Sequence, residues 1–165
     1  LLTPATRTAI VLGPMIAGML QLLVQTLLIF AVAFLLGLNI PVGLPGFLFT
    51  VLLAIGFGLG FAGYSVGVAL KTRNAQAAQA GTLLFFPLIF LSTTFVPKEL
   101  IEAEWLKVAA TFNPTTYIFE GMRAVLTQPT IDWGALSAGL AVAGTMSVIM
   151  IVFAATNARG ALKQK

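Results

Sequence analysis

From Thr8 to Leu70 the chain runs for 63 residues without one charged side chain. A water-soluble domain of 165 residues has no interior large enough to hide such a stretch. A bilayer does hide it. Its hydrocarbon core is about 30 Å thick and about 20 apolar helical residues cross it, so the run holds two spans and the turn between them. Hydrophobic residues make up 59% of the chain and charged residues 8%, against roughly one quarter charged in ordinary globular domains. The expected class is therefore all-α, a polytopic membrane helical bundle. There is no cysteine and no histidine, which removes disulfides, thiolate chemistry, Cys-based metal sites and the commonest proton shuttle. Leu1 is not an initiator methionine and no charged n-region precedes the first apolar run, so a signal peptide is not expected and the chain is read as starting inside a longer protein.

Four hydrophobic segments lie between the charges, at about 9–37, 47–70, 77–96 and 133–155, each able to cross as a helix. Asn39, Pro41, Gly43, Pro45 and Gly46 supply turn chemistry between the first two. Lys71, Thr72, Arg73 and Asn74 form a tight basic turn between the second and third. Cytoplasmic loops near span ends hold the excess of Lys and Arg. With the N-terminus inside, one face carries Arg7, Lys71, Arg73, Arg159, Lys163 and Lys165 and no acid. The other carries Lys98, Lys107 and Arg123 with all five acids, Glu99, Glu102, Glu104, Glu120 and Asp132. Both termini are expected in the cytoplasm. The net charge of +4 divides into +6 inside and −2 outside, which a membrane explains and no nucleic-acid partner is needed to explain.

The segment 97–132 is too polar to span. Ile101, Trp105, Val108, Ala109 and Phe112 recur at helical spacing, with Glu104, Lys107 and Thr111 on the opposite face, which predicts an amphipathic helix. Asn113 followed by Pro114 reads as an N-cap with proline at the first helical position, opening a second short helix to about Leu126. Glu120 and Arg123, three apart, can pair on it. The two helices suit the outer interface or a shallow re-entrant hairpin with Trp105 and Tyr117 as interfacial anchors, or else a solvated helical hairpin.

Several strings imitate catalytic motifs. Gly63 to Gly67 spell G-x-S-x-G, but a nucleophile elbow needs a base and a strand-to-helix turn, and this pentapeptide sits in a predicted span. Gly58, Gly60 and Gly63 spell G-x-G-x-x-G without the βαβ unit that gives that string meaning. Packing explains the glycines better. Gly56 with Gly60, and Gly63 with Gly67, are small-xxx-small pairs that let helix backbones approach closely, as a fixed or a moving contact. Pro87, in the middle of the third segment, is expected to kink it. Gln21 and Gln25 share a face of the first span and either line a pathway or hydrogen-bond another helix. No span has an Asp, Glu, Lys or Arg near its middle, so a proton relay or voltage sensor has no side chains to use. There is no G-x-x-x-x-G-K-[ST] phosphate loop, so the chain is not expected to be an enzyme and binds no cofactor of its own.

Four local strings are similar to one family: Leu1-Leu2-Thr3-Pro4-Ala5-Thr6-Arg7; Lys71-Thr72-Arg73-Asn74 followed by Ala75 to Gln79; Pro87 to Pro97, ending Phe95-Val96-Pro97; and Asn113-Pro114-Thr115-Thr116-Tyr117 with Glu120 and Arg123. Together they resemble the permease subunit of type-2 ATP-binding-cassette exporters, most closely the daunorubicin-resistance branch, over about residues 1–128. The resemblance implies a dimer of permeases, of like or unlike subunits, in the plasma (inner) membrane, with ATP and Mg held by a separate cytoplasmic ATPase subunit. It implies six spans in the native permease, of which this chain would hold the last four, with a re-entrant pair of helices before the final one.

On that resemblance the chain is expected to move an amphiphilic, drug-like or lipid-like substrate across the membrane. Thr3, Pro4 and Arg7 would belong to the ATPase-coupling surface. Lys71, Arg73 and Asn74 would form a cytoplasmic turn that fixes topology or also faces the partner. Asn113, Pro114, Tyr117, Glu120 and Arg123 would shape an external gate, or else form a capped helix with a surface ion pair. The reading from a different class is a membrane scaffold or assembly protein that transports nothing and associates through its glycine-rich helix.

Overall fold

The computed structural model of the chain describes residues 7–83 and 85–162. Helices are the only regular elements among them: α1 (Arg7–Leu35), α2 (Leu44–Thr72), α3 (Ala75–Thr82), α4 (Phe85–Phe90), α5 (Glu104–Phe112), α6 (Pro114–Leu126) and α7 (Trp133–Leu162), with a short 3-10 turn at Lys98–Leu100. Three of them are long and apolar enough to cross a membrane: α1 over Leu12–Leu35, α2 over Leu44–Thr72 and α7 over Trp133–Ala158. Hydrogen bonds within each helix satisfy the backbone without water, which is what a lipid solvent demands.

The turn between α1 and α2 follows from its glycines. Gly37 and Gly43 both adopt positive φ, at 92° and 71°, and Pro45 lies in the first turn of α2, where its missing N–H costs nothing. The chain therefore reverses, and α1 lies antiparallel to α2, with Gly18 against Ala62, Leu22 against Gly58, and Phe30 edge-on to Phe47 at 5.0 Å.

α2 and α7 run parallel, in the same direction along the bundle. Gly56 faces Ala143, Gly60 faces Met146, Gly63 faces Met150 and Gly67 faces Phe153 and Ala154, so both numbers rise together. A Cβ on Gly63 would stand 2.8 Å from the Met150 carbonyl carbon, and one on Gly56 would stand 3.0 Å from the Ala143 Cβ. Only bare backbone admits that approach. Ser147, buried in the seam, has its hydroxyl 2.6 Å from Gly56 O and 2.8 Å from its own helix at Ala143 O. At one end of the bundle Phe49 meets Trp133 edge-on at 6.0 Å. At the other, Met15 joins Ala154 and Ala158 with Leu70 packed nearby.

Because α2 and α7 are parallel, residues 73–132 must bring the chain back along the height of the bundle. Within the expected third span at 77–96, α3 ends at Thr82 and α4 runs Phe85–Phe90, and the helical hydrogen bonding changes at Leu83, four residues ahead of Pro87, where a proline's kink falls. The physical reason is the proline: it has no N–H to give to the carbonyl four residues earlier, that of Leu83, and its ring crowds that carbonyl. The backbone there makes tighter bonds, Leu83 N to Ala80 O and Phe86 N to Leu83 O, both at 3.1 Å. The broken segment still follows α2. Gly81 stands by Tyr64, the Phe85 ring lies 4.9 Å from Phe61 and 5.0 Å from Tyr64, and the Thr93 carbonyl reaches Arg123.

α6 then packs antiparallel to α7, with the Tyr117 carbonyl against Gly139, Gly121 between Leu53 and Gly139, and the Val125 carbonyl against Gly46. Leu53, Ile118, Val125, Leu136 and Ala143 make the main core. The expected amphipathic helix starts later than Ile101 and its apolar stripe does not face inward: Ile101 is buried ahead of α5, whereas Trp105, Val108 and Phe112 are exposed. In a chain surrounded by lipid, outward is also an apolar direction.

The glycine seam makes a sharp prediction. Gly63→Ala is expected to lower stability by about 1–3 kcal/mol through overpacking against backbone. Gly144→Ala, with nothing within 4 Å of its Cβ, is expected to be neutral or stabilising by up to about 1 kcal/mol from helix propensity. Thermal unfolding midpoints in detergent check both, and equal effects would contradict the seam.

Candidate functional site

The polar chemistry of the bundle converges where α4 ends and α6 begins. α4 stops at Phe90, which leaves its last carbonyls without helical partners. Leu91 N returns to Pro87 O at 2.8 Å and Ser92 bonds Ile89 O through both its backbone N–H and its hydroxyl. The Leu88 carbonyl is satisfied from far along the chain: Asn113 Nδ2 donates to it, and the Thr115 hydroxyl reaches it at 3.3 Å. The same amide caps α6, since Asn113 Oδ1 accepts from Thr115 N at 3.0 Å and from the Thr115 hydroxyl at 2.7 Å. One buried side chain thus serves the C-terminus of one helix and the N-terminus of another.

Asn113 is buried, and Pro114 beside it is exposed and lines a cleft with Thr145, Met146 and Ile149 of α7. Met146 follows Trp133 by 13 residues, or roughly 20 Å along the helix. α5 and α6 are therefore the two arms of a hairpin whose tip reaches the middle of α7. Tyr117 closes the tip by donating its hydroxyl to Thr111 O at 2.9 Å. Its hydroxyl is turned back to the hairpin's own backbone.

Two turns further along α6, Arg123 pairs with Glu120 at 2.6 Å, with side chains only 24% and 27% exposed. The second guanidinium nitrogen donates to Thr93 O, also at 2.6 Å, across 30 residues. Arg123 thereby holds the turn after α4 to α6, a tie that an ion pair on a surface would not make. A fork with two separate donor nitrogens suits arginine and not lysine. Among the described residues, the buried hydroxyls of Thr93 and Thr116 have no hydrogen-bond partner.

The remaining candidates lie elsewhere. Lys71 is in the last turn of α2 and exposed, Arg73 ends that helix in the left-handed conformation at φ 53°, and Asn74 caps α3 by accepting from Gln76 N at 2.8 Å. They lie at the end of the bundle where α1 begins and α7 finishes, far from the α5–α6 hairpin. Arg7 opens α1, while Thr3 and Pro4 lie outside the described residues. Gly56, Gly60, Gly63 and Gly67 line the α2–α7 seam and form no part of the hairpin site. No group of three or more potential metal-ligating side chains occurs among the described residues.

Sequence reasoning missed Thr115, the Thr93 carbonyl, and Gly46, Gly121 and Gly139, which admit α6 between α2 and α7. It also missed Asp132, whose Oδ1 caps α7 at Gly134 N (2.9 Å) and Ala135 N (3.1 Å). That one had a readable signal, an Asp immediately before the last apolar run.

Comparison with known protein families finds a match between residues 1–127 and the family described as ABC-2 type transporter. No curated protein and no solved structure matches the chain.

Asn113→Ala removes the cap and leaves the Leu88 carbonyl with only the longer bond from the Thr115 hydroxyl at 3.3 Å, and is expected to destabilise the chain by about 1–3 kcal/mol. Asn113→Asp keeps the cap oxygen but sets a carboxylate against that carbonyl, and is expected to recover only part of the loss. Unfolding midpoints of the two variants against the parent test the double role; full recovery by aspartate would reduce it to capping alone.

Proposed function

The chain belongs to the ABC-2 type transporter family, and from that premise we propose that it is the permease part of an ATP-driven exporter of the daunorubicin-resistance branch, moving an amphiphilic, drug-like or lipid-like substrate. The family is one of non-catalytic transmembrane permease components that work with an ATPase partner. The match over residues 1–127 carries the reading. In the proposal the ATPase is a separate cytoplasmic subunit, the permease pairs with a second copy, and both ends of this segment face the cytoplasm of the plasma membrane. Thr3, Pro4 and Arg7 belong to the ATPase-facing surface, with Lys71, Arg73 and Asn74 on the same side.

The proposal counts four crossings, with residues 77–96 as the third. The parallel course of α2 and α7 supports it, since two parallel spans need a return crossing between them. So does the charge order: the end with Lys71 and Arg73 carries the basic residues and the end with Lys98, Glu102 and Asp132 the acids. The α5–α6 hairpin is the external gate, dipping into the membrane where its non-helical tip is covered by protein. ATP on the partner would act by its different affinity for two permease states. Asn113 and Arg123, tying α6 to residues 88 and 93, are the bonds such a change would break or keep.

Two experiments check this. The chain has no cysteine, so single replacements report sidedness directly. Thr72→Cys is expected to react only from the cytoplasmic side of membrane vesicles, and Asn39→Cys and Glu102→Cys only from the opposite side. Glu102→Cys reacting with Thr72→Cys would overturn the third crossing. Co-purification of the permease reading frame with its candidate ATPase is expected to give a complex whose ATP hydrolysis rises with amphiphilic compounds. No complex with any ATPase would sink the transport reading.

A further inference from the structure

α1 and α2 touch at Gly18 and Ala62, where a Cβ on the glycine would stand 3.7 Å from Ala62 Cβ, and again where Leu22 fills the space beside Gly58. Beside that contact opens a cleft of about 360 Å³, lined by Gln21 and Gln25 from α1 and by Phe57 and Phe61 from α2. Gln21 is the central residue of α1 and Gly58 of α2, so the cleft lies at mid-height of the bundle, about 20 Å from either helix end. The aromatic floor is held from behind, Phe57 by Phe119 at 6.2 Å and Phe61 by Phe85 at 4.9 Å.

The two carboxamides are exposed and make no hydrogen bond to any described residue. At that depth water is absent, so an amide without a partner is costly and calls for one from outside the chain. A ligand pocket has this profile: mostly apolar and aromatic walls, a few converging polar groups, and a volume in the range of about 300–1,000 Å³. The cleft's lining on α1 covers only residues 18–25, about 12 Å, the length of a small molecule and much less than a packed helix. No charge occurs between Thr8 and Leu70 to balance a charged occupant.

The geometry points to a binding site for a neutral amphiphile with a flat or chain-like apolar body and a hydroxyl or carbonyl group. The body rests on Phe57 and Phe61, and the polar group exchanges hydrogen bonds with Gln21 and Gln25. That this occupant is the exported compound rests on the permease reading; that the cleft binds it does not.

The test uses the full permease reading frame in phosphatidylcholine nanodiscs with 4-(hydroxymethyl)benzophenone, a neutral probe that inserts into nearby C–H bonds on irradiation, and maps the adducts by mass spectrometry. Saturable labelling is expected at residues 18–25 and 57–62. Gln21→Leu with Gln25→Leu is expected to raise the half-saturating concentration at least about fivefold, from the loss of two hydrogen bonds. Gly18→Leu, whose Cβ has room against Ala62, is expected to fill the cleft and abolish labelling independently. Competition by a monoacylglycerol identifies a lipid occupant, and competition by 4-phenylbenzyl alcohol a dissolved one. Labelling that does not saturate, that maps elsewhere, that survives both variants, or that vanishes when a second copy covers the cleft overturns the site. Cleft labelling in a chain that couples to no ATPase supports the site and removes only the transport reading.

Discussion

The parallel contact between α2 and α7 is the constraint from which the rest of the bundle follows. Lipid offers no hydrophobic drive for two apolar helices to associate, so close packing and interhelical hydrogen bonds must hold them. Four glycines in α2 at spacings of four, three and four bring its backbone against Ala143, Met146, Met150 and Ala154, and Ser147 adds a hydrogen bond to Gly56 O. Two neighbouring spans with the same direction cannot be joined by a short turn. The sixty residues from 73 to 132 therefore carry the chain back along α2, and they do so with a broken helix pair and a hairpin in place of one straight span.

The end of α4 at Phe90 leaves backbone carbonyls without helical partners. The bundle answers with side chains supplied from α6 instead of with continued helix. Asn113 and Arg123 accept responsibility for Leu88 O and Thr93 O respectively, and each is also committed locally, Asn113 as a cap and Arg123 to Glu120. The two ties sit at opposite ends of a three-turn helix, so α6 and the segment after α4 are fastened as one piece. Breaking the Arg123 tie removes the donor to Thr93 O, and breaking the Asn113 tie leaves Leu88 O with only the Thr115 hydroxyl, so that a fastened and a released hairpin differ by discrete bonds, as a two-state element requires.

The long helices α1, α2 and α7 were legible because length, apolar content and missing charge are sufficient signals for a span. The cap at Asn113 was legible for a local reason, an Asn-Pro step before a helical pattern. Its bond to Leu88 was not, because a partner 25 residues away leaves no trace in local spacing. Pro87 announced a disturbance, and its effect falls ahead of it, at the carbonyl its ring cannot serve. The helical period of α5 was readable and its direction was not: periodicity identifies an apolar face, yet Trp105, Val108 and Phe112 of that face are exposed.

The polar side chains within the long helices divide by what they are bonded to, and that division separates architecture from binding. Thr50 returns its hydroxyl to Gly46 O at 2.8 Å beside the point where α6 packs on α2, and Ser147 bridges α7 to Gly56. Both are buried, and the bundle accounts for both. Gln21 and Gln25 differ in each respect, being exposed at the centre of the least covered long helix and bonded to nothing described. A chain in hydrocarbon has strong reason to exchange such residues for leucine if the fold is their only purpose, since their amides add desolvation cost and no internal bond. The fold therefore accounts for the serine and the threonine, and the two glutamines call for a partner that arrives from the membrane.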